Sequence, residues 1–139
     1  MPAPGLPDFS GLLILAVEDD PDSREFLRAV IERCGARVIE AGTVRTARQY
    51  VETLKIDLSI TDLALPGEDG ATFLKWLRAR PREKGGAVPA IAVTAFYENY
   101  PPAQMSGWAA YFQKPLQMEQ LVETIAAILG RGRQGVGKT

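Results

Sequence analysis

Hydrophobic positions fall along this chain in alternating blocks of two kinds. Residues 12–17 (Leu-Leu-Ile-Leu-Ala-Val) are a continuous apolar run closed by Glu18-Asp19-Asp20-Pro21, the pattern of a central parallel strand buried on both faces. Phe26, Leu27, Val30, Ile31 and Cys34 then recur at helical spacing, with Asp20 as N-cap, Pro21 at the first helical position and Gly35 as the stop. The same unit follows four more times. A strand over 37–41 turns at Gly42 into a helix from about Thr43 to Leu54, with Val44, Ala47, Val51 and Leu54 on one face. A strand over 58–61 leads to a helix from Asp69 or Gly70 to Arg80, which turns Phe73, Leu74 and Leu77 inward and Lys75, Arg78 and Arg80 outward before Pro81 ends it. A basic connection over 82–86 precedes a strand over 89–94. The fourth helix is short, because Asn99-Tyr100-Pro101-Pro102 can start one but Ser106-Gly107 halts it within two turns. A last strand over 110–113 ends at Lys114-Pro115, and Leu116, Met118, Leu121, Val122, Ile125, Ile128 and Leu129 line a final amphipathic helix closed by Gly130. Strands alternating with helices imply an α/β fold: a parallel sheet covered on both faces, joined by right-handed crossovers.

Length and composition narrow what such a fold can do. At 139 residues the chain is one domain. Its 16 basic and 17 acidic residues nearly cancel, so nucleic acid is not an expected direct partner. Cys34 is the single cysteine and histidine is absent, which excludes an internal disulfide, a cysteine-based zinc site and histidine-dependent catalysis. Any metal must therefore use oxygen ligands. No apolar run is long enough to span a bilayer, and the start of the chain has no basic signal region, so the expected location is the cytoplasm, with no membrane partner. Residues 1–11, with three prolines and two glycines, read as a flexible leader that contributes little to the core; 12–129 form the folded domain; 130–139 form a flexible Gly-rich basic tail. The tail matches a phosphate-binding P-loop letter for letter from Gly132 to Gly137-Lys138-Thr139. That motif needs a strand before it and a helix after it, whereas here a helix precedes, so the match is set aside.

The polar residues at the strand ends carry the chemistry. They are Glu18, Asp19, Asp62, Thr94 and Lys114, and in one parallel sheet these ends share a rim where ligands gather. Three carboxylates within about 4 Å of one another would repel by roughly 4 kcal/mol per pair at an effective dielectric near 20. A hard divalent cation is the natural counterion, and Mg2+ suits a few carboxylate oxygens with positions left for a phosphoryl oxygen. Thr94 can donate to such an oxygen, Lys114 supplies a fixed positive charge, and Asp62 becomes a nucleophile able to form an acyl phosphate. Asp20 is a third acid on the same loop, but before Pro21 it reads as a helix cap rather than a ligand. Trp76 and Cys34 read as packing residues, Trp108 as packing or as a contact residue.

Glu18-Asp19, the run Asp62-Leu63-Ala64-Leu65-Pro66-Gly67, Thr94-Ala95 and Lys114-Pro115 together resemble the signature of the receiver domains of two-component response regulators, over residues 12–129. The resemblance implies a flavodoxin-like, doubly wound (βα)5 fold with strand order 2-1-3-4-5, here with a shortened helix 4. It implies Asp62 as phosphoacceptor, Mg2+ held by Asp19, Glu18, Asp62 and the backbone carbonyl of Ala64, Lys114 paired with the phosphoryl oxygens, and a cis bond before Pro115. Thr94 would move toward the phosphoryl group and Tyr111 would change rotamer in response, altering the face made by helix 4, strand 5 and helix 5. The donor would be a phosphohistidine on a sensor histidine kinase or a histidine phosphotransfer protein, and partner specificity would lie on helix 1 and the loop after strand 5. With a short helix 4, no more than a weak homodimer is expected. Ala64 and Phe96 hold the two positions that tune phosphoryl lifetime in the family, and neither can position an attacking water. The chain is thus expected to be a switch rather than a turnover enzyme. The alternative is a pseudo-receiver that is never phosphorylated and serves as a protein-interaction module. A haloacid-dehalogenase-like phosphatase would need an acid where Ala64 stands.

Overall fold

The apolar runs form five parallel strands in the computed structural model, which describes residues 2–95 and 106–132. They are β1 (Leu13–Val17), β2 (Arg37–Ala41), β3 (Leu58–Asp62), β4 (Ala90–Thr94) and β5 (Ala110–Gln113), in the order β2-β1-β3-β4-β5. This is the flavodoxin-like α/β sheet that the resemblance implies. Strands β1, β3 and β4 are buried at every position, which is why they read as unbroken hydrophobic runs. Alternate side chains of β1 serve two different cores. Ile14 and Ala16 pack with Ile60, Ile91 and the helices on one face, and Leu13, Leu15 and Val17 pack with the helices on the other.

The helices begin where their capping residues are. Helix α1 (Pro21–Glu32) starts at Asp20, whose Oδ2 accepts from the Ser23 amide at 3.0 Å and the Ser23 hydroxyl at 2.7 Å. Helix α2 (Val44–Thr53) is capped by Thr43, and α3 (Gly70–Arg78) by Asp69, whose Oδ1 accepts from the Thr72 amide at 2.9 Å. The last helix, α4 (Met118–Leu129), is the fifth in the sequence reading, and Gly130 ends it at a φ of 66°. Leu27, Val30 and Ile31 of α1 and Leu121, Val122 and Ile125 of α4 cover one face of the sheet; Val44, Ala47 and Val51 of α2 with Phe73 and Leu77 of α3 cover the other. No helix among the described residues is long and apolar enough to cross a membrane.

Several expectations shift. Strand β3 runs one residue further than expected and includes Asp62 itself, while α3 stops at Arg78 and the basic connection after it winds into a short 3-10 turn, Arg82–Lys84. Phe26 and Leu54, expected on inward faces, are 37% and 42% exposed; Leu54 lies past the last residue of α2, its backbone already extended. The leader also contributes more than expected. Phe9 is fully buried in the α1/α4 core, its amide donating to the Cys34 carbonyl at 2.6 Å, while the amides of Ala3 and Asp8 bond to the carbonyls of Arg33 and Gly132. A lone aromatic among prolines carries no periodicity, so its burial cannot be read from pattern. Cys34 is buried as expected, just beyond the end of α1. The core of the expected short fourth helix, with Phe96 and the residues of the tail from 133 on, lies outside the described residues.

Candidate functional site

Four strands deliver the site. Strand β1 ends at Val17 and passes directly into Glu18, whose amide is fixed to the Ala41 carbonyl of β2 at 2.8 Å. The Glu18 side chain is buried; its Oε1 accepts from the Asp20 amide at 3.1 Å and its Oε2 from Lys114 Nζ at 2.7 Å. The neighbouring Asp19 is exposed. On β3, Asp62 is only 6% exposed and is held at both oxygens: the Ala64 amide donates to Oδ1 at 2.9 Å and Lys114 Nζ to Oδ2 at 2.9 Å. Thr94 ends β4 fully buried, and its carbonyl accepts from the Lys114 amide at 2.8 Å, so the backbone that carries the lysine is tied to the strand that carries the hydroxyl. The Lys114-Pro115 bond is cis. Tyr111, half-buried on β5, pairs in register with Ala92 of β4.

The five strand-end residues expected from sequence are therefore on one rim, and four of them interlock. One carboxylate oxygen from each of Glu18, Asp19 and Asp62 lies within 4.8 Å of the others. Lys114 bridges only two of the three acids, so when all are ionised the cluster keeps about two uncompensated negative charges. Glu18 registers that imbalance. Burial pushes its carboxyl up to about 7, with the Asp62 charge adding to the rise and the hydrogen bonds from Lys114 and the Asp20 amide opposing it. Burial alone would lower the Lys114 ammonium, but its bonds to Glu18 and Asp62 outweigh that and raise it above its ordinary value. An all-oxygen donor set with two charges to neutralise fits a hard divalent ion such as Mg2+. Asp20 does not join this set, because its carboxylate is committed to Ser23.

Two residues at the site escape sequence reasoning because their partners are backbone atoms. Arg24 of α1 donates from Nη1 to the carbonyls of Glu18 at 3.0 Å and Asp19 at 3.3 Å. Gly70 opens α3 against the end of β3, its amide bonded to the Leu63 carbonyl at 3.0 Å; a Cβ there would stand 2.6 Å from the Asp62 carbonyl and 3.0 Å from Leu63 Cα. Gly70→Ala should therefore lower stability by about 1 to 2 kcal/mol, since overpacking against backbone outweighs the helix-propensity gain of at most ~1 kcal/mol. Urea unfolding checks this, and an alanine variant as stable as the parent would mean that the segment after Asp62 yields freely.

Residues 14–126 match the family model described as the response regulator receiver domain. Over 120 residues the chain is 36% identical to the KDP operon transcriptional regulatory protein KdpE of Escherichia coli, covering 85% of this chain but 51% of KdpE. It is 30% identical over 119 residues to the polar-differentiation response regulator DivK of Brucella ovis, covering 84% of this chain and 95% of DivK. Among solved structures, the receiver domain of the sensor histidine kinase PA1611 from Pseudomonas aeruginosa, determined with a magnesium ion coordinated in the active site cleft, superposes with a TM-score of 0.78 at 28% identity, covering 87% of this chain and 99% of that one.

Proposed function

The chain belongs to the response regulator receiver domain family, and on that premise we propose that it is a phosphoacceptor switch that takes a phosphoryl group onto Asp62 from a phosphohistidine partner. The observation that carries this reading is Lys114 Nζ placed between Glu18 and Asp62, at 2.7 and 2.9 Å: it sets a cation against the nucleophile and still leaves the three acids with negative charge to spare. Glu18, Asp19, Asp62 and the carbonyl of Ala64 would hold Mg2+, which when bound neutralises charge on the phosphoryl oxygens during transfer.

In the transfer itself a carboxylate oxygen of Asp62 attacks phosphorus, an O–P bond forms as the P–N bond breaks, and the imidazole leaves with its electron pair. The Ala64 amide holds Oδ1 and fixes the orientation of the nucleophile. Lys114 needs no large movement to follow the new negative charge, since its ammonium already bonds Asp62. The product carries nearly two negative charges on three acceptor oxygens, where the carboxylate carried one. In this reading the Thr94 hydroxyl turns toward them and Tyr111 occupies the space given up, which alters the surface formed by β5, α4 and the segment before them. The partner is a sensor histidine kinase or a histidine phosphotransfer protein, and the setting is the cytoplasm. The named relatives include a transcriptional regulator and a sensor kinase, and the chain spans about half of the former, so the output is decided by what the switched face meets.

Acetyl phosphate and Mg2+, with intact-mass detection, test the reading: the protein should gain one phosphoryl group. No gain would assign the chain instead to the non-phosphorylated interaction modules. Ala64 and Phe96 offer no group to position water, so the phosphoryl group should persist for much longer than seconds in the purified protein. A half-life of seconds would refute that part.

A further inference from the structure

Asp19 has the least support of the three acids. It is exposed, and among the described residues no hydrogen bond or ion pair holds its carboxylate. Its direction is therefore set by its backbone. Two side chains hold that backbone: Glu18 Oε1 accepts from the Asp20 amide, and Arg24 Nη1 reaches the carbonyls of both Glu18 and Asp19, while Arg24 Nε pairs with Glu40 Oε1 on β2 at 3.2 Å. Glu40 is in turn fixed by Arg28 through its other oxygen. The guanidinium also lies over the turn after β2, since a Cβ on Gly42 would stand 3.3 Å from Nη1. A planar fork that serves two carbonyls and a carboxylate at once needs arginine; an ammonium has no such fixed geometry.

We propose that Arg24 is a positioning residue for the Mg2+ site: anchored on Glu40, it holds the Glu18 and Asp19 carbonyls so that Asp19 faces Glu18 and Asp62. The proposal rests on the metal-assisted reading above and adds a residue that touches neither metal nor phosphoryl group. Its sign separates it from plain electrostatics. Removing a positive charge beside three acids would by itself strengthen cation binding, whereas loss of positioning weakens it.

Mg2+ titration by calorimetry, with Arg24→Ala, Arg24→Lys and Arg28→Ala beside the parent, tests it. Arg28→Ala removes the same charge but leaves the Arg24–Glu40 pair in place, and Arg28 touches neither carbonyl of the acidic loop. Arg24→Ala should weaken Mg2+ binding about tenfold, the low end of the loss when a partner behind a metal ligand is removed. Arg28→Ala should leave it unchanged. In metal-free protein, exchange of the Asp20 amide, which bonds Glu18 Oε1, should quicken in Arg24→Ala alone. Should Arg24→Ala not fold, Arg24→Lys carries the test with a smaller loss. Parent-like affinity in the Arg24 variants, or an equal loss in Arg28→Ala, overturns the proposal and leaves the phosphoacceptor reading standing. A parent that takes up no Mg2+ overturns both.

Discussion

A protein carrying Asp62→Asn should gain no phosphoryl mass from acetyl phosphate and Mg2+, where the parent gains one group. The substitution keeps the shape and removes the nucleophile. An amide oxygen is not nucleophilic enough to replace the carboxylate. Of the two other acids, Glu18 is also buried between an amide and Lys114 but serves in this reading as a metal ligand, and Asp19 is exposed. The asparagine cannot satisfy both neighbours of Asp62. Its single acceptor can meet either the Ala64 amide or Lys114 Nζ, and its NH2 then faces a donor. That costs about 1 to 2 kcal/mol, partly offset because one of two close negative charges has gone. The fold should therefore persist, and unfolding measured in chelator separates a lost acceptor from a lost structure. Labelling that survives in the variant would move the acceptor elsewhere and remove the chemical argument built on Lys114.

The rim was legible because central strands of a parallel sheet are apolar on both faces, so the first polar residue after each run marks where the strand leaves the core. Glu18, Asp62 and Thr94 were found that way and Lys114 by the Lys-Pro break after the edge strand β5, and the structure brings all four together. Asp20 and Thr43 were legible as caps or helix starts because a short polar side chain before a periodic run has a known use there. What stayed hidden depends on three-dimensional partners that leave no trace in composition. Phe9 has no periodic neighbours, yet it fills a space between α1 and α4. Gly70 looks like a turn residue, but its missing side chain is what lets α3 begin against the carbonyl of Asp62. Arg24 has the look of a solvated helix charge, and its partners at the site are main-chain oxygens that every residue possesses. Patterns reveal where side chains are buried, and they are silent where a side chain, or its absence, answers to backbone.

Lys114→Ala should give the largest loss of stability at this site, and the loss should depend on pH in a definite sense. The lysine is the only cation bonded to Glu18 and Asp62 among the described residues. Without it two buried carboxylates face each other, and leaving buried charge without its partner costs about 3 kcal/mol, the low end of the usual range because the lysine is partly exposed. Protonation can relieve that cost. In the parent, burial already raises Glu18 to about 7 from its ordinary 4.5; removing the ammonium that opposes this rise must carry it higher still. An acid with a raised folded-state pKa contributes stability that is fully present below the unfolded value and is lost as pH rises through the folded value. The variant in chelator should thus fall furthest behind the parent at pH 8, by about 3 kcal/mol, and come within roughly 1 kcal/mol at pH 6, where Glu18 takes up a proton. Saturating Mg2+ at pH 8 should narrow the gap in the same way, because a divalent ion replaces the missing positive charge among the same oxygens. Urea unfolding at the two pH values, with and without Mg2+, reads both effects. A deficit that does not change with pH would mean that Lys114 stabilises the domain through the packing of its stem and the loop before Pro115, and that the buried acids do not depend on its charge.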